Sequence, residues 1–509
     1  MTATDVPSLF SGSAAPQARP AGLFLSRADR RWLFVVLSGL LAARLLAVAW
    51  LPFVDTTEAR YAEIARKMVE TGDWITPQFD YGVPFWGKPP LHTWLSALGM
   101  KIFGVNPFGA RILILASAVA VLGLLFGWVH RNRGIDQALL ATAVLASSAL
   151  FYGASAFVMT DMAMVLGTTL SMVAFHTCAT DPRTRRLWGH LFFVGVAIGL
   201  LAKGPVALVV TAIPILGWLA LEGRWRRGLV LPWRSGLLVA ALLTLPWYVA
   251  AEIKTPGFLR YFLIGEHFDR FVVPGWQGDL YGSGHARPKG MIWLYGLATF
   301  LPWTLFALAL IARPRALADS LRSAPQGWSS YLALWTLSPL LLFTPAANIL
   351  AAYALPALPP AAVLLVSLWA GARGAPGRWE RRAAVAAMTA AAGLLLAVSI
   401  LSGVMPQTLR LKTERELVAA AQGVDPAIHL TYWGSRSYSA EFYTAGKVDF
   451  IADAAQISLL AANQRRDGVA IPQADAQTLA AALAPGFTRV GSFGRRILFV
   501  ETPNTEIGR

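Results

Sequence analysis

The sequence predicts a polytopic α-helical membrane protein carrying a small α/β domain at its C-terminal end. Three observations predict it. The 509 residues are 56% hydrophobic and only 14% charged, with a mean hydropathy of +0.52, too little polar surface for a soluble globule of this size. Apolar runs long enough to cross a bilayer recur along the first 404 residues. Beyond them hydrophobicity falls and short β-like runs appear. A net charge of +16 then reflects Arg-rich cytoplasmic loops and anionic lipid rather than nucleic acid. The single cysteine, Cys178, forms no intrachain disulfide and reads as a small core residue. No Cys/His spacing indicates zinc.

Residues 1–26, rich in Ala, Pro and Ser, read as a disordered cytoplasmic tail rather than a cleavable signal. The membrane domain is expected over 27–404. Its apolar intervals lie at 32–53, 109–129, 137–157, 162–179, 187–202, 205–221, 235–251, 291–312, 328–344, 348–370 and 383–404, which gives about eleven to thirteen membrane helices. The pair 187–202 and 205–221 is short and suits a tight or tilted hairpin. Every second loop is Arg-rich: Arg131 and Arg133, Arg183 to Arg186, Arg224 to Arg227, Arg313 to Arg322, and Arg373 to Arg382. The positive-inside rule then places the N-terminus inside. The segments 54–108 and 252–290 and residues 405–509 fall outside. In 405–509, strands are expected at 428–432, 448–451, 468–471 and 496–500, with a helix near 475–484.

The outer segments hold the residues suited to chemistry. Residues 57–70 alternate as an amphipathic helix, with Tyr61, Ile64, Ala65 and Met68 on one face and Arg60, Glu63, Lys67 and Glu70 on the other. Such a helix lies flat on a membrane surface, and 91–103 has a similar pattern. Asp55 and Glu58 fit an N-cap and a capping-box partner. They also fit carboxylates held at the membrane face. Asp161 stands likewise at the start of a span, as a cap or as a functional acid. On the same face Lys88 sits in the rigid run Phe85-Trp86-Gly87-Lys88-Pro89-Pro90, Lys203 in the turn of the hairpin, and His267 and Arg270 on one helical turn. Cations beside a lipid-accessible cavity suit a lipid phosphate or pyrophosphate. His267 alone also reads as a structural histidine, and Lys203 as a snorkelling one.

These motifs, in order, carry a resemblance: Glu58-Ala59-Arg60-Tyr61-Ala62-Glu63-Ile64, Gly72-Asp73-Trp74, Lys88-Pro89-Pro90, Phe108-Gly109-Ala110-Arg111, Asp161, Lys203-Gly204, Glu266-His267 with Arg270-Phe271, and Tyr353 through Pro360. Together the set resembles the bacterial polyprenyl-phosphate-sugar-dependent glycosyltransferases related to protein O-mannosyltransferases and to the aminoarabinose transferase that modifies lipid A. The resemblance covers residues 30 to about 370. It implies a GT-C fold and a sugar donor on undecaprenyl phosphate, used at the periplasmic face. It also implies a single inverting displacement to lipid A, another glycolipid, a glycan or a protein. By the same resemblance, Asp161 and an acid in the first outer loop serve catalysis. That acid is Asp55 or Glu58, because Thr57 stands where the family carries Asp. Lys88 and Arg270, with Lys203, would hold the carrier phosphate, and Tyr61, Arg60, Tyr353 and His267 would bind substrate. No metal or other cofactor is required by this scheme. A lipid or solute transporter and a non-catalytic envelope-assembly scaffold are the other readings that polytopic architecture admits. Against the first, the polar residues lie at span ends rather than midway along spans.

Overall fold

A computed structural model describes residues 25–502 except 283, 313, 316, 319–326, 372–377, 406–410, 461–462, 464 and 485. The expected N-terminal tail, apart from Leu25 and Ser26, lies outside the described residues, as do Arg313, Arg322 and Arg373. Helix occupies every apolar interval read from the sequence. Seven of these helices are long and apolar enough to cross a membrane: Arg27–Trp50, Pro107–Arg133, Asp161–Thr180, Arg185–Lys203, Trp233–Lys254, Ala351–Gly371 and Arg382–Val404. Met291–Thr299 and Trp303–Ile311 form a pair bent by 112°, where Pro302 cannot donate a backbone hydrogen bond. Ile135–Ala146, Val206–Leu221 and Trp328–Phe343 are shorter apolar helices. The interval 137–157 is not one rod. It breaks at Ser147 and Ser148, whose hydroxyls donate back to the carbonyls of Ala143 (2.5 Å) and Leu145 (2.8 Å). A six-residue helix, Ala149–Ala154, then starts in a new direction.

Helices Asp161–Thr180 and Arg185–Lys203 pack backbone to backbone. A Cβ on Gly167 would lie 2.6 Å from the amide nitrogen of Gly199, and one on Gly195 would lie 2.5 Å from Ser171 Oγ. Small residues at the crossing let two membrane helices approach this closely. The hairpin's return brings the start of the first helix beside the end of the second, so Asp161 meets Lys203. The turn after Lys203 needs glycine: Gly204 has φ +75°, and a Cβ there would meet the Phe262 ring at 2.5 Å.

Between the first two long helices the chain forms helix Thr57–Thr71, the short hairpin of β1 (Gln78–Asp80) and β2 (Val83–Pro84), and helix Leu91–Phe103. The amphipathic helix expected to lie flat on a membrane surface has its charged face largely covered by protein. Glu63, Arg66 and Lys67 are as buried as Ile64 and Ala65. Their charges are paired rather than solvated. Arg66 donates to Glu63 at 2.7 and 2.8 Å and to Glu70 at 2.6 Å. Lys67 Nζ lies 3.3 Å from Glu441 of the C-terminal region. The polar face is therefore an interface.

After residue 410, helix Arg415–Val424 leads into a five-stranded sheet: β3 (His429–Trp433), β4 (Val448–Ile451), β5 (Asp467–Pro472), β6 (Phe487–Phe493) and β7 (Arg496–Glu501). The order is β4-β3-β5-β7-β6, parallel on the β4-β3-β5 side and antiparallel from β5 onward. Leu417 and Ala421 pack on one face with Leu430, Tyr432, Ala470 and Leu498. Ile457, Val469, Ile471 and Leu483 fill the other. The four expected strands form; β6 is additional. Of 475–484, only Ala480–Leu483 is helical.

Candidate active site

Two adjoining cavities open where helix ends meet the segments 54–108 and 252–290. One, of about 290 Å³, has mostly apolar walls that include Pro205, Val206, Val209, Phe271, Leu342 and Phe343. The other, of about 320 Å³, is polar and reaches Thr57, Arg60, Tyr61, Asp161, Asp279, Tyr281 and His285. Lys88, Lys203, Glu266, Arg270 and Tyr353 line both.

That shared wall is an ion-pair chain. Lys203 Nζ donates to Asp161 Oδ1 at 2.5 Å and sits 4.4 Å from the centre of the Tyr353 ring. Lys88 Nζ donates to Glu266 Oε2 at 2.6 Å and to the Gly87 carbonyl at 2.5 Å. One guanidinium nitrogen of Arg270 lies 3.2 Å from Glu266 Oε1 and 3.0 Å from Asp279 Oδ2. Burial pushes the Glu266 carboxyl up, but Lys88 and Arg270 outweigh it and hold the group below the usual carboxylate range. Arg60 donates to the Tyr281 carbonyl. Tyr281 hydroxyl donates to the Pro84 carbonyl at 2.8 Å, and burial pushes its pKa up to about 12. The polar cavity thus carries four cations (Arg60, Lys88, Lys203, Arg270) against three carboxylates (Asp161, Glu266, Asp279). Arg60 Nε and Arg270 Nε are buried donors without an acceptor among the described residues, and such donors suit an incoming anion. No three His, Cys, Asp or Glu side chains among the described residues converge as a metal site; the positive charge here is fixed on side chains.

The local backbone explains the placement. Residues Tyr261–Asp269 form a wide helical turn with i to i+5 bonding, a form that recurs at functional sites. It sets Glu266 inward, one turn before Arg270. His267 is braced rather than free: Nδ1 lies 2.7 Å from the Phe262 carbonyl and Nε2 3.2 Å from the Lys203 carbonyl. Burial lowers its pKa, so a single ring proton, on the shorter contact, is the expected state. His267 is therefore pinned by its Nδ1–H to the Phe262 carbonyl, with Nε2 facing the Lys203 carbonyl without a proton to donate.

Lys88, Arg270, Lys203, Asp161, Arg60, Tyr61 and Tyr353 come together around the two cavities, and His267 lines the apolar one. Asp55 and Glu58 do not join them. Asp55 accepts hydrogen bonds from Ser437 Oγ (2.8 Å), Ser439 N (2.9 Å) and Ser439 Oγ (2.7 Å). Its neighbours Thr56 and Thr57 line the polar cavity in its place. Glu58 is buried and held bidentately by Arg111, at 2.7 Å to each oxygen. Nor do they form a capping box: Thr56 occupies the N-cap position and no side chain caps the helix. Glu266, Asp279, Tyr281 and His285 were not among the expected site residues. Glu266 carried a signal, four residues before Arg270; the other three lie in a loop without periodicity.

A helical membrane body with its polar site on loops at one face, capped by a small mixed sheet, is the GT-C fold. Its fold matches the crystal structure of ArnT from Cupriavidus metallidurans bound to undecaprenyl phosphate with TM-score 0.76 and 17% identity, over 93% of this chain and 98% of that one. It also matches the Archaeoglobus fulgidus oligosaccharyltransferase with TM-score 0.53 and 11% identity, over 94% and 75%. Residues 34–262 match the family described as dolichyl-phosphate-mannose-protein mannosyltransferase. The chain is 33% identical over 317 residues to the undecaprenyl phosphate-alpha-4-amino-4-deoxy-L-arabinose arabinosyl transferase of Edwardsiella ictaluri, covering 60% of this chain and 54% of that protein. It is likewise 33% identical over 323 residues to the Pseudomonas fluorescens enzyme of that name numbered 1, covering 62% and 53%. The chain spans about half the length of these relatives.

Proposed function

We propose that this protein transfers a sugar from a polyprenyl-phosphate carrier to an acceptor at the outer face of the bacterial inner membrane, with inversion. The observation that carries this is the wall shared by the two cavities. A lipid with an apolar tail, a phosphate and a sugar fits them in that order: tail along Val206, Val209 and Phe343, phosphate at Lys88, Arg270 and Lys203, sugar toward Tyr61, Arg60 and Asp161. The relatives' names specify a donor of this chemistry, undecaprenyl phosphate bearing an aminoarabinose.

In the reaction the acceptor oxygen forms a bond to the anomeric carbon as the bond from that carbon to the phosphate oxygen breaks. The electron pair leaves with the phosphate, whose added charge Lys88 and Arg270 stabilise. Asp161 is the carboxylate placed to take the acceptor proton or steady the sugar's developing positive charge. A phosphate arriving at Lys203 competes with Asp161 for that ammonium and so frees the carboxylate as the donor binds. Asp55 and Glu58 shape the first outer loop instead. The acceptor is a lipid (lipid A among them), a glycan or a protein.

Membrane orientation follows from charge. Helix Asp161–Thr180 runs from the site toward Arg183, Arg185 and Arg186, and helix Arg185–Lys203 returns. Arg131 and Arg133 end helix Pro107–Arg133. The Arg-rich ends face the cytoplasm and the site and mixed sheet face the periplasm. The test is transfer in membranes from a synthetic polyprenyl-phosphate sugar, followed by mass spectrometry. Wild type is expected to release free polyprenyl phosphate and Lys88→Ala none. Equal release by both, with equal protein present, overturns the reading.

A further inference from the structure

A second amphipathic cavity lies away from the first and shares none of its lining residues. Its head chamber, of about 190 Å³, is bounded by Arg44, Arg111 and Glu58 at the outer end of the first helix. Its tail is an apolar groove of about 320 Å³ between helix Arg27–Trp50, helix Pro107–Arg133 and the broken pair Ile135–Ala146 and Ala149–Ala154. Arg44 lines both chambers.

The charge balance of the head chamber is open by one. Glu58 is spent on Arg111, whose guanidinium it grips with both oxygens. Arg44, 8% exposed, has no carboxylate in ion-pair range among the described residues. It donates instead to the neutral Gly153 carbonyl at 2.6 Å and to Ser155 Oγ at 3.2 Å, and lies over the Tyr152 ring. A buried arginine in a membrane helix without a counter-ion marks a site for one. The groove sets the class of anion. From Phe34 to Arg44 is ten residues, about 15 Å of helix, which is half of a ~30 Å hydrocarbon core. Phe34 and Leu41 on its rim are exposed, so it opens sideways to lipid. Its length is one leaflet.

We propose that this cavity binds an anionic phospholipid, with the phosphate on Arg44 and an acyl chain in the groove beside Leu37 and Leu122. The head chamber abuts the loop that carries Asp161: Phe157 lines it, and Val158 N lies 3.4 Å from Glu58 Oε1. A lipid here braces the catalytic loop from behind.

The experiment is native mass spectrometry of the full chain in detergent after incubation with equimolar phosphatidylglycerol and phosphatidylcholine, with inorganic phosphate added in a parallel arm. Wild type is expected to retain phosphatidylglycerol preferentially, undiminished by inorganic phosphate. Arg44→Gln is expected to lose about tenfold in retention and Arg44→Lys to recover most of it. Lys88→Ala, which removes one of the four cations of the donor cavity, is expected to retain it as wild type does. Equal retention of both lipids by wild type overturns the proposal whether or not any variant folds. So does displacement by inorganic phosphate, unchanged retention in Arg44→Gln, or loss in Lys88→Ala.

Discussion

Asp161 and Lys203 stand at opposite ends of a helical hairpin in the chain and 2.5 Å apart in space, both nearly buried. Breaking such a pair strands a charge in a low-dielectric site. Lys203→Met is therefore expected to destabilise the protein by about 3–5 kcal/mol, read as a lowered unfolding temperature in detergent. The double variant Asp161→Asn/Lys203→Met is expected to regain most of that stability while remaining unable to transfer sugar. Restored activity in the double variant would show that the pair is only structural.

Arg270 supplies two different things, a charge against Glu266 and Asp279 and an unpaired Nε donor. Arg270→Lys keeps the charge and loses the second donor. It is expected to lower the transfer rate about 10²-fold, within the range for removing one donor from a site of developing charge. Glu266→Gln, which leaves Lys88 without its carboxylate, is expected to weaken activity less than Lys88→Ala does. Single-turnover rates on one donor rank the three variants.

Asp55 fixes the loop after the first long helix to the C-terminal sheet domain through Ser437 and Ser439. Asp55→Ala leaves those donors unmatched at a cost of about 1–3 kcal/mol. It is expected to speed proteolytic release of the C-terminal domain. Asp55→Asn, of the same shape, is expected to keep much of the transfer activity, whereas Asp161→Asn loses it. The reverse order of the two asparagine variants would return Asp55 to the reacting centre.

A pH dependence follows from the same contact. Burial raises Glu414 to about 7, against the opposing pull of Arg496, and burial raises Asp55 too. A carboxyl whose folded pKa lies above its unfolded value binds its proton more tightly when native. Its contribution is complete below about 4.5 and is lost as pH climbs through about 7. The shift from 4.5 to about 7 corresponds to roughly 3 kcal/mol. The unfolding temperature of the full chain is expected to fall between pH 5 and pH 8, and Glu414→Gln to flatten that slope. An unchanged slope in Glu414→Gln would assign the titration to other groups.

The parts of this fold legible in the sequence are those written in local pattern. Apolar runs of membrane length locate the helices, and β-branched runs such as Gly468-Val469-Ala470-Ile471 locate strands. Lys88, Lys203 and Arg270 were legible because cations at the ends of apolar segments need anions. What local pattern hides is which partner claims a charge. The serines that take Asp55 lie more than 380 residues away in the chain. Arg111 claims Glu58 across 53 residues. Helical periodicity put Glu63 and Lys67 on a polar face and could not show that the C-terminal region folds back over them. Edge strand β6 was missed because Thr488 to Val490 are exposed and Gly491 interrupts its register.

The glycine crossing of Gly167, Gly195 and Gly199 has a consequence for how a transferase built on this site would change its substrate. With backbones in contact, the hairpin has no room to slide or splay, and Asp161 and Lys203 form a fixed jaw. The opposite jaw is formed by Asp279 to Gly282 with His285, held by hydrogen bonds to Tyr261, Arg60 and Pro84 and by the ion pair of Asp279 with Arg270. Divergence toward a bulkier or smaller sugar should therefore accumulate in that jaw, while the hairpin tolerates nothing larger than glycine at its crossing.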